Sequence, residues 1–148
     1  MSVYLDSSAI VKLYMPEADS ALVVNYVRGL KEPLPFSHLH ETEVKNALRL
    51  KMFRKEASSR PVAKSIRAMD QDRDSQILKR PEWNWTDVFR KAEELSKRFT
   101  VRSGSRSLDL LHVASSLLIP CREFLTFDAR QALLARKAGL RLIRLAKT

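Results

Sequence analysis

Apolar and polar positions along the chain recur at two spacings, and together they predict short strands alternating with helices. Val3-Tyr4-Leu5 is a β-type run, and Asp6-Ser7-Ser8 supplies helix-capping residues directly after it. Ala9 to Tyr14 then reads as a helix stopped before Pro16. Helical spacing returns from Glu17 to Arg28 through Ala21, Val24 and Val27, with Gly29 as terminator. Leu34-Pro35-Phe36-Ser37 predicts a second strand. His38 to Phe53 reads as a strong helix, with Leu39, Glu43, Ala47 and Leu50 on one side and Arg49, Lys51 and Arg54 crowding its end.

After a break near Ala57-Ser58, Ser59 to about Asp70 is helical, with Pro61 acceptable in the first turn. Gln71 to Trp85 is less regular, and Gln76-Ile77-Leu78 is a further strand candidate. Thr86 is placed to cap a helix whose apolar stripe is Val88, Phe89, Ala92, Leu95 and Phe99. Arg102 to Arg106 reads as a polar loop, and Ser107 as the cap of a helix from Leu108 to Leu118 that Pro120 ends. Glu123 to Thr126 predicts a strand, Ala129 to Ala138 a helix closed by Gly139, and Arg141 to Arg144 a last strand. Strands separated by helices imply an α/β fold of three layers around a mostly parallel central sheet. In such sheets ligands bind beyond the carboxyl ends of the strands, where Asp6 and Asp128 both fall.

The 148 residues suit a single domain over 1–148. No apolar run approaches the roughly 20 residues that span a bilayer, and the stretch before Asp6 does not resemble a signal peptide, so a cytoplasmic location is expected. Cys121 is the only cysteine, which rules out an intrachain disulfide and leaves a core or surface thiol. Lys+Arg 27 against Asp+Glu 17 gives a net charge of +10. That surplus attracts polyanions, though a soluble basic chain or one awaiting an acidic partner would share it.

Candidate chemistry lies in the acids. Asp6 and Asp128 stand where a carboxylate caps a helix, and Asp109 lies in the first turn after Ser107, so each alone has a structural explanation. Glu43 is expected on the apolar side of its helix, where a carboxylate needs a cation, either Lys, Arg or a metal ion. Clustered carboxylates suit hard divalent cations such as Mg²⁺, which promote phosphodiester cleavage. Other chemistries fit less well. An aspartyl phosphatase would carry a second Asp where Ser8 stands, no Gly-rich phosphate loop is present, and His38, His40 and His112 are too scattered for a zinc motif. His112, one turn after Asp109, is placed either to orient it or to pack its helix. Trp83 and Trp85 could stack on bases or close a lid over the core, and Lys12, Lys45, Arg49 and Arg130 could contact phosphates or lie on solvated faces.

With these residues assembled, the sequence resembles the PIN-domain family, and within it the VapC-type toxins of toxin–antitoxin modules. The resemblance rests on Val3-Tyr4-Leu5-Asp6-Ser7-Ser8-Ala9-Ile10-Val11-Lys12-Leu13-Tyr14, Glu43-Val44-Lys45-Asn46-Ala47-Leu48, Ser107-Leu108-Asp109-Leu110-Leu111-His112-Val113-Ala114-Ser115 and Phe124-Leu125-Thr126-Phe127-Asp128, in that order. Residues Ala57 to Trp85 match least. The resemblance implies a PIN-like α/β/α fold, dependence on Mg²⁺ or Mn²⁺, and endonucleolytic cleavage of RNA. It assigns Asp6, Glu43, Asp109 and Asp128 as metal-site acids, with Ser8 and Thr126 as supporting hydroxyls. Glu43 is preferred to Glu41 because the family's acid precedes a Val-x-x-Ala-Leu pattern. It further implies a homodimer and a cognate antitoxin. The alternatives are a housekeeping RNA-processing nuclease and a non-catalytic nucleic-acid-binding module.

Overall fold

The computed structural model describes residues 3–145, so the leader reading at Met1 and Ser2 lies partly outside it. In chain order the elements are β1 (Val3–Leu5), α1 (Ser7–Tyr14), α2 (Ser20–Arg28), β2 (Leu34–Pro35), α3 (His38–Phe53), α4 (Ser59–Asp74), β3 (Leu78–Lys79), α5 (Trp85–Leu95), a π-helical turn (Ser96–Thr100), α6 (Val101–Ser103), α7 (Ser107–Leu117), β4 (Glu123–Leu125), α8 (Ala129–Lys137) and β5 (Arg141–Leu142). Every described strand pairing is parallel, and helices intervene between successive strands, which is the expected α/β class. The strands form two groups where one central sheet was expected: a three-stranded sheet in the order β1-β4-β5 and a separate pair, β2-β3. No described helix is long and apolar enough to cross a membrane.

The chain divides into two compact units, which the chain enters and leaves between Asp6 and Ser7 and between Arg80 and Pro81. The first comprises the start of the chain through Asp6 together with Pro81–Arg144. Its core is built on β1 and β4, where Tyr4 and Phe124 stack at 5.3 Å between ring centroids. Val88, Leu95, Val113, Leu134 and Leu140 close around them, each buried. Such side chains contribute on the order of 1.5–3 kcal/mol each when fully buried. Trp83 and Trp85 meet edge to face and pack, half-buried, against this core, which is the lid role. Cys121 is a buried core thiol, and burial pushes its pKa up.

Helix boundaries in this unit differ from the sequence reading for local reasons. Asn84, ahead of Thr86, caps α5 by accepting the Asp87 amide at 2.9 Å. Phe89 leaves the expected stripe and is exposed. The π-helical turn then breaks the 3.6-residue period, so helix continues to Ser103 where a loop was expected from Arg102. Gly104, at φ 64°, ends it in a conformation other residues rarely adopt. Ser107 is the first helical residue of α7 and not its cap, and Arg106 stands at the cap position.

The second unit, Ser7–Arg80, carries α1 to α4 and the β2-β3 pair. Helix α2 begins at Ser20, three residues later than the spacing suggested, because Asp19 adopts a left-handed φ of 67°. Helix α3 matches its predicted bounds and is capped by Ser37, whose hydroxyl accepts the His40 amide. Its buried face is His40, Val44 and Leu48, while Leu50 is exposed, so the apolar side is rotated from the expected one and Glu43 lies at its half-buried margin. Helix α4 extends to Asp74, past the expected end near Asp70.

Candidate carboxylate site

Parallel pairing of β1 with β4 sets Leu5 opposite Leu125, so the chain leaves both strands at the same end of the sheet. The Asp6 amide continues the ladder by donating to the Leu125 carbonyl at 3.1 Å. Asp6 and Thr126 therefore emerge as neighbours. The Thr126 hydroxyl donates to Asp6 Oδ2 and at the same time accepts the Asp128 amide, at 3.0 Å. One hydroxyl thus joins the Asp6 carboxylate to the backbone N–H of Asp128, far from it in the chain. Asp6 is 4% exposed, and a buried carboxylate of this kind needs such donors.

Asp128 also caps α8, with Oδ1 accepting the amides of Arg130 at 2.8 Å and Gln131 at 3.1 Å. Its second oxygen, Oδ2, lies 3.6 Å from a terminal nitrogen of Arg106. The same guanidinium reaches Asp109, with Arg106 Nε 3.6 Å from Asp109 Oδ2. Asp109 Oδ2 also accepts the backbone N–H of Arg106 at 3.1 Å, so the acid, placed three residues into α7, reaches back to the residue at the cap position. Asp6, Thr126, Asp128, Arg106 and Asp109 form one continuous polar chain within the first unit.

Glu43 belongs to the second unit and accepts the Ser7 hydroxyl at 2.8 Å. Ser7 follows Asp6 directly in the sequence. Ser8 occupies the first turn of α1, half-buried. The neighbouring acid Glu41 has a different role. Burial alone would raise its carboxyl, but Arg80 and Lys45 more than offset that and hold it at about 2, against an ordinary 4.5. Arg73 joins the same cluster at 2.6 Å. An acid held by three cations is a structural hub.

The remaining candidates separate clearly. His112 is buried with Nδ1 at 2.7 Å from the Tyr4 hydroxyl, and its ring packs edgewise on Tyr4, which is the helix-packing role. Lys45 is committed to Glu41 and Asp70, and Lys12 donates to the Ala18 carbonyl and pairs with Glu17. Arg49 and Arg130 are exposed. Arg106 and Ser7 were not singled out from sequence, although Arg106 stands three residues before Asp109, at the spacing of a cap and its acid.

Apart from Arg106, the polar chain in the first unit offers three carboxylates and a hydroxyl, oxygen groups that suit Mg²⁺ or Mn²⁺ better than zinc. Among the described residues no three His, Cys, Asp or Glu side chains stand as a preformed metal cluster. Asp109 and Asp128 instead share a guanidinium.

No protein-family model matches the sequence, and no curated protein matches it. Among solved structures, a chain of VapBC-1 from nontypeable Haemophilus influenzae aligns with a TM-score of 0.66 over 97% of each chain, at 15% identity. The two chains share a fold. At that identity the likeness concerns the α/β architecture. It covers almost the full length of both chains.

Proposed function

We propose that this chain is a PIN-domain endoribonuclease, the VapC-like toxin of a type II toxin–antitoxin module, acting in the cytoplasm on RNA with Mg²⁺ or Mn²⁺. The observation that carries the proposal is the relay in which Thr126 ties Asp6 to Asp128. Structural caps need no such coupling between strand ends. A constellation of acids that must keep fixed spacing does. The full-length likeness to a chain of a VapBC structure supports the same reading and brings an antitoxin partner into it.

In this reading Asp6, Asp109 and Asp128 are the metal-site acids of the first unit. Glu43 joins them on sequence grounds, since its motif follows the family order. Thr126 orients Asp6, and Ser8 is assigned as the second supporting hydroxyl. A divalent cation bound there supplies Lewis-acid polarisation of a phosphodiester and a more acidic water. The residues themselves hold the acids at fixed spacing, keep Asp6 out of bulk water and carry the negative charge that draws the cation. The net charge of +10 attracts the RNA backbone and makes binding weaken with salt. We assign a homodimer as the toxin's own assembly.

The test is cleavage of cellular RNA by the purified, antitoxin-free chain with Mn²⁺, beside Asp6→Asn. Wild type should cut and Asp6→Asn should bind RNA without cutting, and growth arrest on expression should be relieved by the product of the neighbouring gene. A folded wild-type chain that cuts no RNA with Mn²⁺ present would refute the nuclease reading. Cleavage without growth arrest would leave an RNA-processing enzyme in place of a toxin.

A further inference from the structure

Arg106 places its guanidinium within reach of both Asp109 and Asp128, two of the acids proposed above as metal ligands. Its guanidinium lies 3.6 Å from Asp109 and 3.6 Å from Asp128, both longer than the 2.7–2.9 Å of a tight charge-assisted hydrogen bond. It satisfies both acids loosely and neither fully. Its side chain is 65% exposed, whereas that of Asp109 is only 10% exposed. Arg106 can therefore swing into water at little desolvation cost, while Asp109 cannot follow it. When it leaves, Asp109 Oδ2 keeps the backbone N–H of Arg106 and Asp128 Oδ1 keeps the amides of Arg130 and Gln131, so neither acid loses its position.

We infer that Arg106 is a built-in counter-ion, neutralising Asp109 and Asp128 in the metal-free protein and giving way when a divalent cation binds. Resting on the assignment of those two acids as metal ligands, the inference adds a residue that tunes the affinity of the site. Two carboxylates without a cation repel each other, and the arginine relieves that repulsion until the metal does. The exchange makes metal affinity a competition between one charge on the chain and two on the ion. Each partly exposed pair of this kind is worth at most about fivefold in an equilibrium.

The test has two arms on the full chain. In the first, thermal melts in excess EDTA compare wild type, Arg106→Gln, Asp128→Asn and the double variant. The counter-ion role predicts that Arg106→Gln lowers the melting temperature more in the wild-type background than in the Asp128→Asn background, where only its pair with Asp109 remains. Equal losses in both backgrounds would overturn it. In the second arm, Mn²⁺ is titrated calorimetrically. Arg106→Gln should bind it about three- to tenfold more tightly than wild type, reflecting the two pairs released, while Arg106→Lys stays near wild type. Unchanged or weaker Mn²⁺ binding by Arg106→Gln would overturn the exchange and leave the nuclease reading intact. Coupling in EDTA with no Mn²⁺ binding by any variant would overturn that reading and the exchange with it.

Discussion

Replacing Thr126 by Val removes one hydroxyl, keeps the shape of the side chain and breaks both links of the relay. Asp6 loses a donor to a carboxylate that is 4% exposed, and a hydrogen bond to a charged group contributes about 1.5–3 kcal/mol. The Asp128 amide loses its acceptor, which adds on the order of 1 kcal/mol. Little cavity forms, so the expected loss is about 3 kcal/mol. For a chain of this size each kcal/mol moves the melting temperature by roughly 2–4 °C, which places Thr126→Val some 6–12 °C below wild type. Scanning calorimetry in EDTA measures this without interference from metal. Thr126→Ser, which keeps the hydroxyl, should recover most of the loss. In an Asp6→Asn background the acceptor is neutral and the cost of Thr126→Val should fall by about half. A Thr126→Val protein melting within about 1 °C of wild type would refute the relay, as would a Thr126→Ser protein as unstable as the Val variant.

Glu41 and Tyr4 give further tests. The Glu41 carboxyl is held at about 2 in the folded chain against an ordinary 4.5, so its stabilisation is full above pH 4.5 and is lost as pH falls towards 2. Discounted for partial exposure, this amounts to about 2–3 kcal/mol. Urea titrations should show that loss in wild type, and Glu41→Gln should lack this component of the acid dependence while being less stable at pH 7. An identical acid profile in the variant would contradict the assignment. Tyr4→Phe removes the hydrogen bond to His112 and should cost about 1 kcal/mol by chemical denaturation while leaving Mn²⁺-dependent RNA cleavage unchanged. A selective loss of cleavage without a stability change would instead make His112 part of the chemistry.

Much of the architecture was legible because it is written locally. The Ser37 cap and the run to Phe53 predict α3 at its observed bounds, and Gly139, at φ 96°, closes α8 near where its sequence position indicated. Strand ends near Asp6 and Asp128 could be anticipated because each acid lies just past a β-type run. What escaped the sequence is mostly non-local. Strands of two residues such as β2 and β3 exist through pairing with each other, and their separation from the β1-β4-β5 sheet leaves no trace in periodicity. The π-helical turn at Ser96–Thr100 shifts the phase of a helix whose apolar spacing had seemed to end at Phe99. The apolar spacing of α3 points to the side of Leu39, Glu43, Ala47 and Leu50, whereas His40, Val44 and Leu48 form the buried stripe and Leu50 is exposed. Arg106 escaped notice because its charge acts across a gap of 22 positions to Asp128, whereas the spacing to Asp109 reads only as a cap. The sequence pattern favours Glu43 over Glu41, while the ion-pair cluster of Arg80, Lys45 and Arg73 around Glu41 is a non-local feature.

The central claim is that the acids form a metal site, and anomalous diffraction from crystals grown at saturating Mn²⁺ tests it most directly. The account predicts Mn²⁺ contacted by carboxylate oxygens of Asp6 and of Asp109 or Asp128, with the Arg106 guanidinium turned away. Saturating Mn²⁺ that leaves those carboxylates without an ion, with Arg106 still seated between Asp109 and Asp128, would contradict it.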